Sequence, residues 1–360
     1  YEVAPLLAPR RKPCILPCRE SGATLRFLLP LVGALGINAV FHREGRLPQR
    51  PLEPLLAELV RHGMSATADG CDLHCQGQLR SGTYVLPGDV SSQFVSALLL
   101  ALPLLPGDST LTLTSAPESA PYIAMTEEVL AAAGISLYRT GSRYRIPGGQ
   151  RYRLPSPLTV EGDWSSAAFF LCAGAMSREG IAVDGLSLPT RQGDSALLPL
   201  LRQMGAMVNL SSGCITIRKG RLRATDIDAR PIPDLIPPLS VLAAAAEGDS
   251  HIQNARRLRY KESDRLQGIA ELLNSLGGCL TVDGDGLLIH GVSHLQGGTV
   301  DPMGDHRLAM SAALAALSAD APVTVRDADC VSKSYPAFWA DFQSLKGETP
   351  CPAPSETPSV

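Results

Sequence analysis

SSQFVSALLLALPLL, Ser91 to Leu105, opens on three polar residues and is then apolar around most of its circumference. A surface helix carries an apolar stripe on one side only, so this one belongs in an interior. Four further stretches repeat the pattern: SGATLRFLLPLVGALG from Ser21, SSAAFFLCAGAM from Ser165, DLIPPLSVLAAAAEG from Asp234 and DHRLAMSAALAAL from Asp305. Each is followed by a one-sided amphipathic helix that a glycine stops. Those glycines, Gly63, Gly134, Gly205, Gly277 and Gly347, are spaced by 71, 71, 72 and 70 residues. Alternating segments such as TLTLTS, SRYRIP and CITIRK lie between the helices and read as strands. The chain is therefore an α+β (mixed α/β) repeat protein: modules of about 70 residues, each with too little core to stand alone, packed with the apolar helices central and the amphipathic ones outside.

Duplication explains the apolar faces but not the polar starts of the central helices, where Gly22, Arg26, Ser91, Ser92, Gln93, Asp234, His306 and Arg307 cluster. A helix N-terminus with free N–H groups and a partial positive charge attracts anions, and several converging would suit a heavily anionic ligand. The expectation is a multi-anion cleft between two repeat-built halves.

Composition narrows the partners. A net charge of −3 and a pI near 6.2 give no global field for nucleic acid or an anionic membrane. Every apolar run is interrupted too soon to span a bilayer. Small molecules are the expected partners. Nine cysteines, an odd number with no secretory pattern at the start, fit a reducing cytoplasm. Cys71, His74 and Cys75 invite a metal reading, but strand residues four apart stand roughly 13 Å apart, which disfavours it. PCPAPSETPSV, Pro350 to Val360, reads as part of a disordered tail over 348–360. No Walker loop, GxGxxG, GxSxG elbow or two-histidine metal helix is present.

Nine motifs, in chain order, are specific in combination: ESGATLR (20–26), QRP (49–51), GDVSSQF (88–94), ESAPYI (118–123), EGDWSSAAFF (161–170), IPD (232–234), RYKESDRL (259–266), GDHRLAM (304–310) and SKSYP (332–336). Over roughly residues 15–345 the chain resembles the 5-enolpyruvylshikimate-3-phosphate (EPSP) synthases, the 3-phosphoshikimate 1-carboxyvinyltransferases. The resemblance implies a two-domain enolpyruvyl transferase fold, each domain built from three βαβαββ units. On that pattern residues 1–158 form a first domain with two units and 159–347 a second with three. The first unit of the family, with its Gly-Ser-Lys-Ser stretch and following arginine, has no match here. A chain lacking it is expected to be weakly active or inactive as an enzyme until an upstream unit is restored.

The implied reaction transfers the enolpyruvyl group of phosphoenolpyruvate to the 5-hydroxyl of shikimate 3-phosphate and releases phosphate. It needs neither metal nor cofactor, since cations hold the anionic groups while one acid and one base move protons. By motif, Asp234 is the implied base and Glu262 the implied acid. Gly22, Arg50, Gln93, Arg265, Arg307 and Lys333 are implied for phosphoenolpyruvate. Ser91, Ser92, Gln93, Ser119, Tyr122, Asp234 and Lys261 are implied for shikimate 3-phosphate. Asp163 is read as a hinge-region residue, and Asp264 and Arg259 as structural partners. Arg257 stands where the family often has asparagine. The family expectation is a cytoplasmic monomer. Two readings compete: a UDP-N-acetylglucosamine enolpyruvyl transferase, disfavoured because the loop GRLPQRP has no cysteine, and a catalytically impaired ligand-binding fragment.

RYKESDRL reads as the charged first turn of an amphipathic helix, because Leu266, Ile269, Leu273 and Leu276 follow at helical spacing. The corresponding helices are expected to open at Pro51, Pro121, Asp194 and Tyr335. The scaffold does not require charges at that position.

Overall fold

The structure, a computed structural model, describes residues 13–345 except Ser212. Its described residues divide into two compact units, with the border between Thr159 and Val160 and with residues 191–193 belonging to the first. The predicted tail and Gly347 lie outside the described residues.

In the first unit, β1 (Cys14–Arg19), α1 (Gly22–Ala34), β2 (Ala39–Arg43), α2 (Leu55–Arg61), β3 (Met64–Asp69) and β4 (Asp72–Gly77) form one repeat. Its sheet runs β1-β2-β4-β3. The first pair is parallel and the others antiparallel. A parallel pair needs a crossover, which α1 supplies, whereas a tight turn suffices between β3 and β4. The second repeat copies this with β5 (Thr83–Leu86), α3 (Ser92–Ala101), β6 (Ser109–Leu113), α4 (Ala120–Ala132), β7 (Tyr138–Thr140) and β8 (Arg143–Ile146), in the order β5-β6-β8-β7.

The second unit opens with α5 (Trp164–Met176), β9 (Ile181–Asp184), α6 (Leu197–Gln203), β10 (Met207–Ser211) and β11 (Cys214–Arg218). Then come β12 (Ile227–Asp228), α7 (Ile236–Ala244), β13 (Asp249–Gln253), α8 (Arg265–Ser275), β14 (Cys279–Asp283) and β15 (Gly286–His290), again as β12-β13-β15-β14. Last are β16 (Gly298–Val300), α9 (His306–Ala315), β17 (Val323–Val325) and α10 (Phe338–Ser344). Among the described residues the sheet of β9 to β11 lacks the leading strand of the pattern, and the β16–β17 pair lacks the closing hairpin.

The division of helices follows the sequence reading. α3 buries Phe94, Val95, Ala97, Leu98, Leu99 and Ala101, while α4 buries only Ile123 and Leu130. Each fully buried leucine or phenylalanine contributes about 1.5–3 kcal/mol. Ser96, a hydroxyl on the buried α3, finds Thr126 on α4 at 2.7 Å, so no polar group is stranded there. Gly63, Gly134, Gly205 and Gly277 all take positive φ at the ends of α2, α4, α6 and α8. At Gly205 (φ +95) a Cβ would also lie 2.2 Å from the Arg221 carbonyl oxygen, so a side chain is excluded twice over.

Several helix starts differ from expectation. α2 begins at Leu55 rather than Pro51, and α10 at Phe338 rather than Tyr335. A short 3-10 turn, Gly193–Ala196, precedes α6. Most of RYKESDRL is not helix: Arg256–Tyr260 forms a 3-10 turn, Lys261 is extended, and Asp264 is the N-cap of α8, accepting from the Gln267 N–H at 3.2 Å. The N-cap carboxylate fixes the first turn at Arg265 and leaves the preceding charges in irregular backbone. Within β4, Cys75 is buried while His74 is exposed.

Candidate active site

The second unit gathers its charge at the starts of α7, α8 and α9. Arg265, the first residue of α8, is 1% exposed. Its Nε donates to Asp305 Oδ2 at 2.8 Å, Nη2 to Glu262 Oε2 at 2.6 Å and Nη1 to Asp234 Oδ1 at 2.8 Å. Asp305, fully buried, is the N-cap of α9: its Oδ1 accepts from the Arg307 N–H at 2.9 Å and its Oδ2 from the Ser263 hydroxyl at 3.0 Å. Asp234 sits in the 3-10 turn Pro233–Leu235 that leads into α7. Besides Arg265, it faces Lys261 Nζ at 3.3 Å and Arg307 Nε at 3.6 Å. Arg307 also donates from Nη1 to the Asp234 carbonyl at 3.2 Å and from Nη2 to Ser165 Oγ, near the start of α5, at 2.7 Å.

These contacts set the protonation states. Burial alone would push Asp234 up, but Arg307, Lys261 and Arg265 outweigh it and hold the carboxyl well below the usual range. Asp305 is likewise lowered, burial being overcome by Arg265. Arg265 is raised, since Asp305, Glu262 and Asp234 overcome its burial, and it stays charged. Lys261 is lowered, first by burial and further by Arg265 and Arg257, with Asp234 opposing. Burial, Arg307 and Arg265 push His306 down to about 4, so it is neutral at physiological pH. Its Nδ1 has no hydrogen-bond partner among the described residues.

Lys333 closes the 3-10 turn Ala328–Lys333 and donates to the Gly304 carbonyl at 2.8 Å, which puts it at the approach to α9. Arg259 and Asp264 pair at 3.2 Å, as the structural role assigned to them requires. Asp163 is the N-cap of α5, accepting from the N–H groups of Ser165 and Ser166.

The first unit builds a second cluster at the starts of α1 and α3. Ser21 caps α1, placing Gly22 in its first turn, and a Cβ on Gly22 would meet Arg26 Nη1 at 3.0 Å and Arg50 Cζ and Nη1 at 3.1 Å. The buried Arg26 donates to Gln93 Oε1 at 2.7 Å and to the Pro51 carbonyl at 3.0 Å, and lies over the Phe94 ring. It ties Gly22, the Arg50 loop and Gln93 together. Ser91 is the N-cap of α3 and Ser92 its first residue, both buried. Ser119, buried and in the left-handed region at φ 52, precedes α4. The Glu118 N–H donates to the Gly88 carbonyl, which brings the Ser119–Tyr122 turn beside the loop before Ser91.

Both clusters suit the recognition of phosphate and carboxylate groups by cations and helix starts. The sequence reading passed over Asp305, Ser263, Ser165 and Asp194 as site residues, and gave Arg26 no role beyond its place on a polar helix start. Arg265 and Asp305 are 40 residues apart in sequence, and no local pattern marks them as partners.

The family model for EPSP synthase (3-phosphoshikimate 1-carboxyvinyltransferase) matches residues 3–342. The chain belongs to this family. Curated relatives named 3-phosphoshikimate 1-carboxyvinyltransferase include one from Clostridium kluyveri, 40% identical over 336 residues, covering 92% of this chain and 78% of the relative. Another, from Methanocorpusculum labreanum, is 39% identical over 342 residues, covering 94% and 81%. A solved EPSP synthase structure from Acinetobacter baumannii superposes with a TM-score of 0.72 at 28% identity, covering 93% of this chain and 79% of that one. The enolpyruvyl transferase fold expected from the nine motifs is thereby borne out. Among the described residues no helix is long and apolar enough to cross a membrane.

Proposed function

We propose that the chain transfers the enolpyruvyl group of phosphoenolpyruvate to the 5-hydroxyl of shikimate 3-phosphate, releasing phosphate in the shikimate pathway, and that the two clusters are its substrate sites. The main support is the second unit's cluster: Lys261, Arg265 and Arg307 packed around Asp234 and Glu262. Arg265, Arg307 and Lys333 hold phosphoenolpyruvate together with Gly22, Arg50 and Gln93. Lys261 and Asp234 hold shikimate 3-phosphate with Ser91, Ser92, Gln93, Ser119 and Tyr122.

Glu262 donates a proton to the methylene carbon, the 5-hydroxyl oxygen adds to the neighbouring carbon, and Asp234 takes the hydroxyl proton. Return of a methyl proton then expels phosphate and restores the double bond. A carboxylate held as low as Asp234 is a poor base while three cations face it. Bound phosphates and carboxylates draw those cations off, and Asp234 becomes basic only once both substrates are in place.

The loop GRLPQRP carries no cysteine and does not favour the UDP-N-acetylglucosamine reaction. The enzyme acts as a cytoplasmic monomer and takes no metal or cofactor. A phosphate-release assay tests the assignment: release should require phosphoenolpyruvate and shikimate 3-phosphate together, and release only with UDP-N-acetylglucosamine as acceptor would overturn it.

A further inference from the structure

We propose that Trp339, through its indole N–H, is a positioning residue that holds the turn carrying Lys333 in place for phosphoenolpyruvate. The inference rests on the assignment of Lys333 to that substrate. Lys333 is the last residue of the 3-10 turn Ala328–Lys333. The indole Nε1 of Trp339, on α10, donates to the carbonyl of Ala328, the first residue of that turn, at 2.9 Å. At the other end Lys333 Nζ donates to the Gly304 carbonyl at 2.8 Å, one residue before the Asp305 cap of α9.

The turn needs support from outside its own hydrogen bonds. A 3-10 helix has poorer hydrogen-bond geometry than an α-helix, and runs beyond three or four residues are uncommon. This one has six, and its N-cap residue, Asp327, stands in the left-handed region at φ 45 with no side-chain capping bond. In its middle, the buried Cys330 and Val331 pack with Phe169 and Phe170 of α5, Met310 of α9 and Phe338 of α10. Apolar burial is non-directional, so it fixes how deep the turn sits but not how its ends are rotated. The indole hydrogen bond is directional and adds that constraint at Ala328. The turn is one continuous element, so a displacement of Ala328 tilts the end that carries Lys333, about 10 Å away at about 2 Å per residue.

The same helix holds the far flank. Tyr335, two residues beyond Lys333, donates its N–H to the Val331 carbonyl at 2.8 Å and its hydroxyl to Asp341 Oδ2, on α10, at 2.8 Å. Trp339 thus fixes the entry to the segment and Asp341 its exit. Packing alone does not call for an indole at this position. Phe338 is the hub of the aromatic cluster, touching Phe169, Phe170, Tyr335 and Phe342 as well as Trp339. Among the described residues the ring of Trp339 meets that of Phe338 alone, edge-on at 5.1 Å between centroids. A phenylalanine would keep that contact and lose the N–H.

The test is steady-state phosphate release against phosphoenolpyruvate concentration, with Tm, for the parent, Trp339→Phe, Trp339→His, Lys333→Ala and the double variant Lys333→Ala/Trp339→Phe. Calorimetric binding of phosphoenolpyruvate gives the same ratios where turnover is slow. Phenylalanine keeps the ring packing without the N–H, whereas histidine can present an N–H from the same place in its five-membered ring while losing the second ring. Trp339→Phe should raise KM for phosphoenolpyruvate about fivefold, the size of one neutral hydrogen bond, with kcat and KM for shikimate 3-phosphate within about twofold. Trp339→His should lie closer to the parent in KM and further from it in Tm. Once Lys333 is alanine, adding Trp339→Phe should change KM by less than about twofold, because no ammonium is left to position. A rise of the same factor with and without Lys333, or a KM that follows Tm across the two Trp339 variants, would overturn the inference. If Lys333→Ala raises this KM while Trp339→Phe does not, the positioning role alone fails. If Lys333→Ala leaves it unchanged, the assignment of Lys333 fails and the inference with it.

Discussion

Asp305→Asn removes one negative charge from a fully buried pair while keeping an oxygen that caps α9. Breaking such a pair from one side costs about 3–5 kcal/mol, because the partner charge stays buried. Here Arg265 keeps Glu262 at 2.6 Å and Asp234 at 2.8 Å, so the lower figure applies. About 3 kcal/mol in a unit of this size lowers Tm by roughly 6–12 °C. Adding Arg265→Met to Asp305→Asn removes the stranded cation, and Glu262 and Asp234, each about one-fifth exposed, can then turn to solvent or Lys261. The double variant should unfold at or above the Tm of Asp305→Asn alone, a coupling of at least about 1.5 kcal/mol. Thermal and urea unfolding of Asp305→Asn, Arg265→Met and the double variant reads this directly. A loss under about 1 kcal/mol for Asp305→Asn, or a double variant whose loss is the sum of the singles, would mean that Arg265 does not depend on Asp305 for its neutralisation.

Three more outcomes follow from the same geometry. His306, held at about 4 against an ordinary 6.5, leaves the unfolded chain with more bound protons between those values. Stability should therefore fall as pH drops through that window, by up to about 3 kcal/mol, and urea titrations of His306→Asn should show a flatter profile. Asp194 acts in the opposite sense: its carboxyl is raised from 3.8 to about 6, so the folded chain keeps a proton that the unfolded chain has lost. Its charge lowers stability as pH rises through that window, and Asp194→Asn should be more stable than the parent at about pH 8, by at most about 3 kcal/mol. Gly22→Ala would place a methyl 3.0–3.1 Å from Arg26 and Arg50, and those side chains must shift. Its KM for phosphoenolpyruvate should rise about tenfold with Tm unchanged.

What the sequence made legible was local. A central helix announces itself by being apolar all round, and its polar start by interrupting that run, so α1, α3, α5, α7 and α9 and the residues at their first turns could be read off the chain. The glycine stops were equally readable, because a left-handed C-terminal position has few other occupants. Contacts across sequence were not. Arg265 looks like a first-turn helix charge, and nothing nearby reveals that Asp305 neutralises it from another helix start. Asp194 reads as an ordinary helix opening, since burial is decided by what packs over it. RYKESDRL misled for a related reason: leucines at helical spacing fix the apolar face of α8 but not the residue at which the N-cap Asp264 begins it. Lys261 and Glu262 are consequently free of helical geometry and turn to Asp234 and Arg265.

We propose that Glu262, in the arginine-bound cluster of the second unit, supplies the proton that starts the transfer. Glu262→Gln tests it most directly, with phosphate release and binding of phosphoenolpyruvate and shikimate 3-phosphate measured on the same preparation. Turnover should fall by about 10²–10⁴, the usual contribution of a positioned acid, while both substrates bind within a few-fold of the parent. Turnover within a few-fold of the parent would contradict the claim and return this stretch to the role of a charged approach to α8.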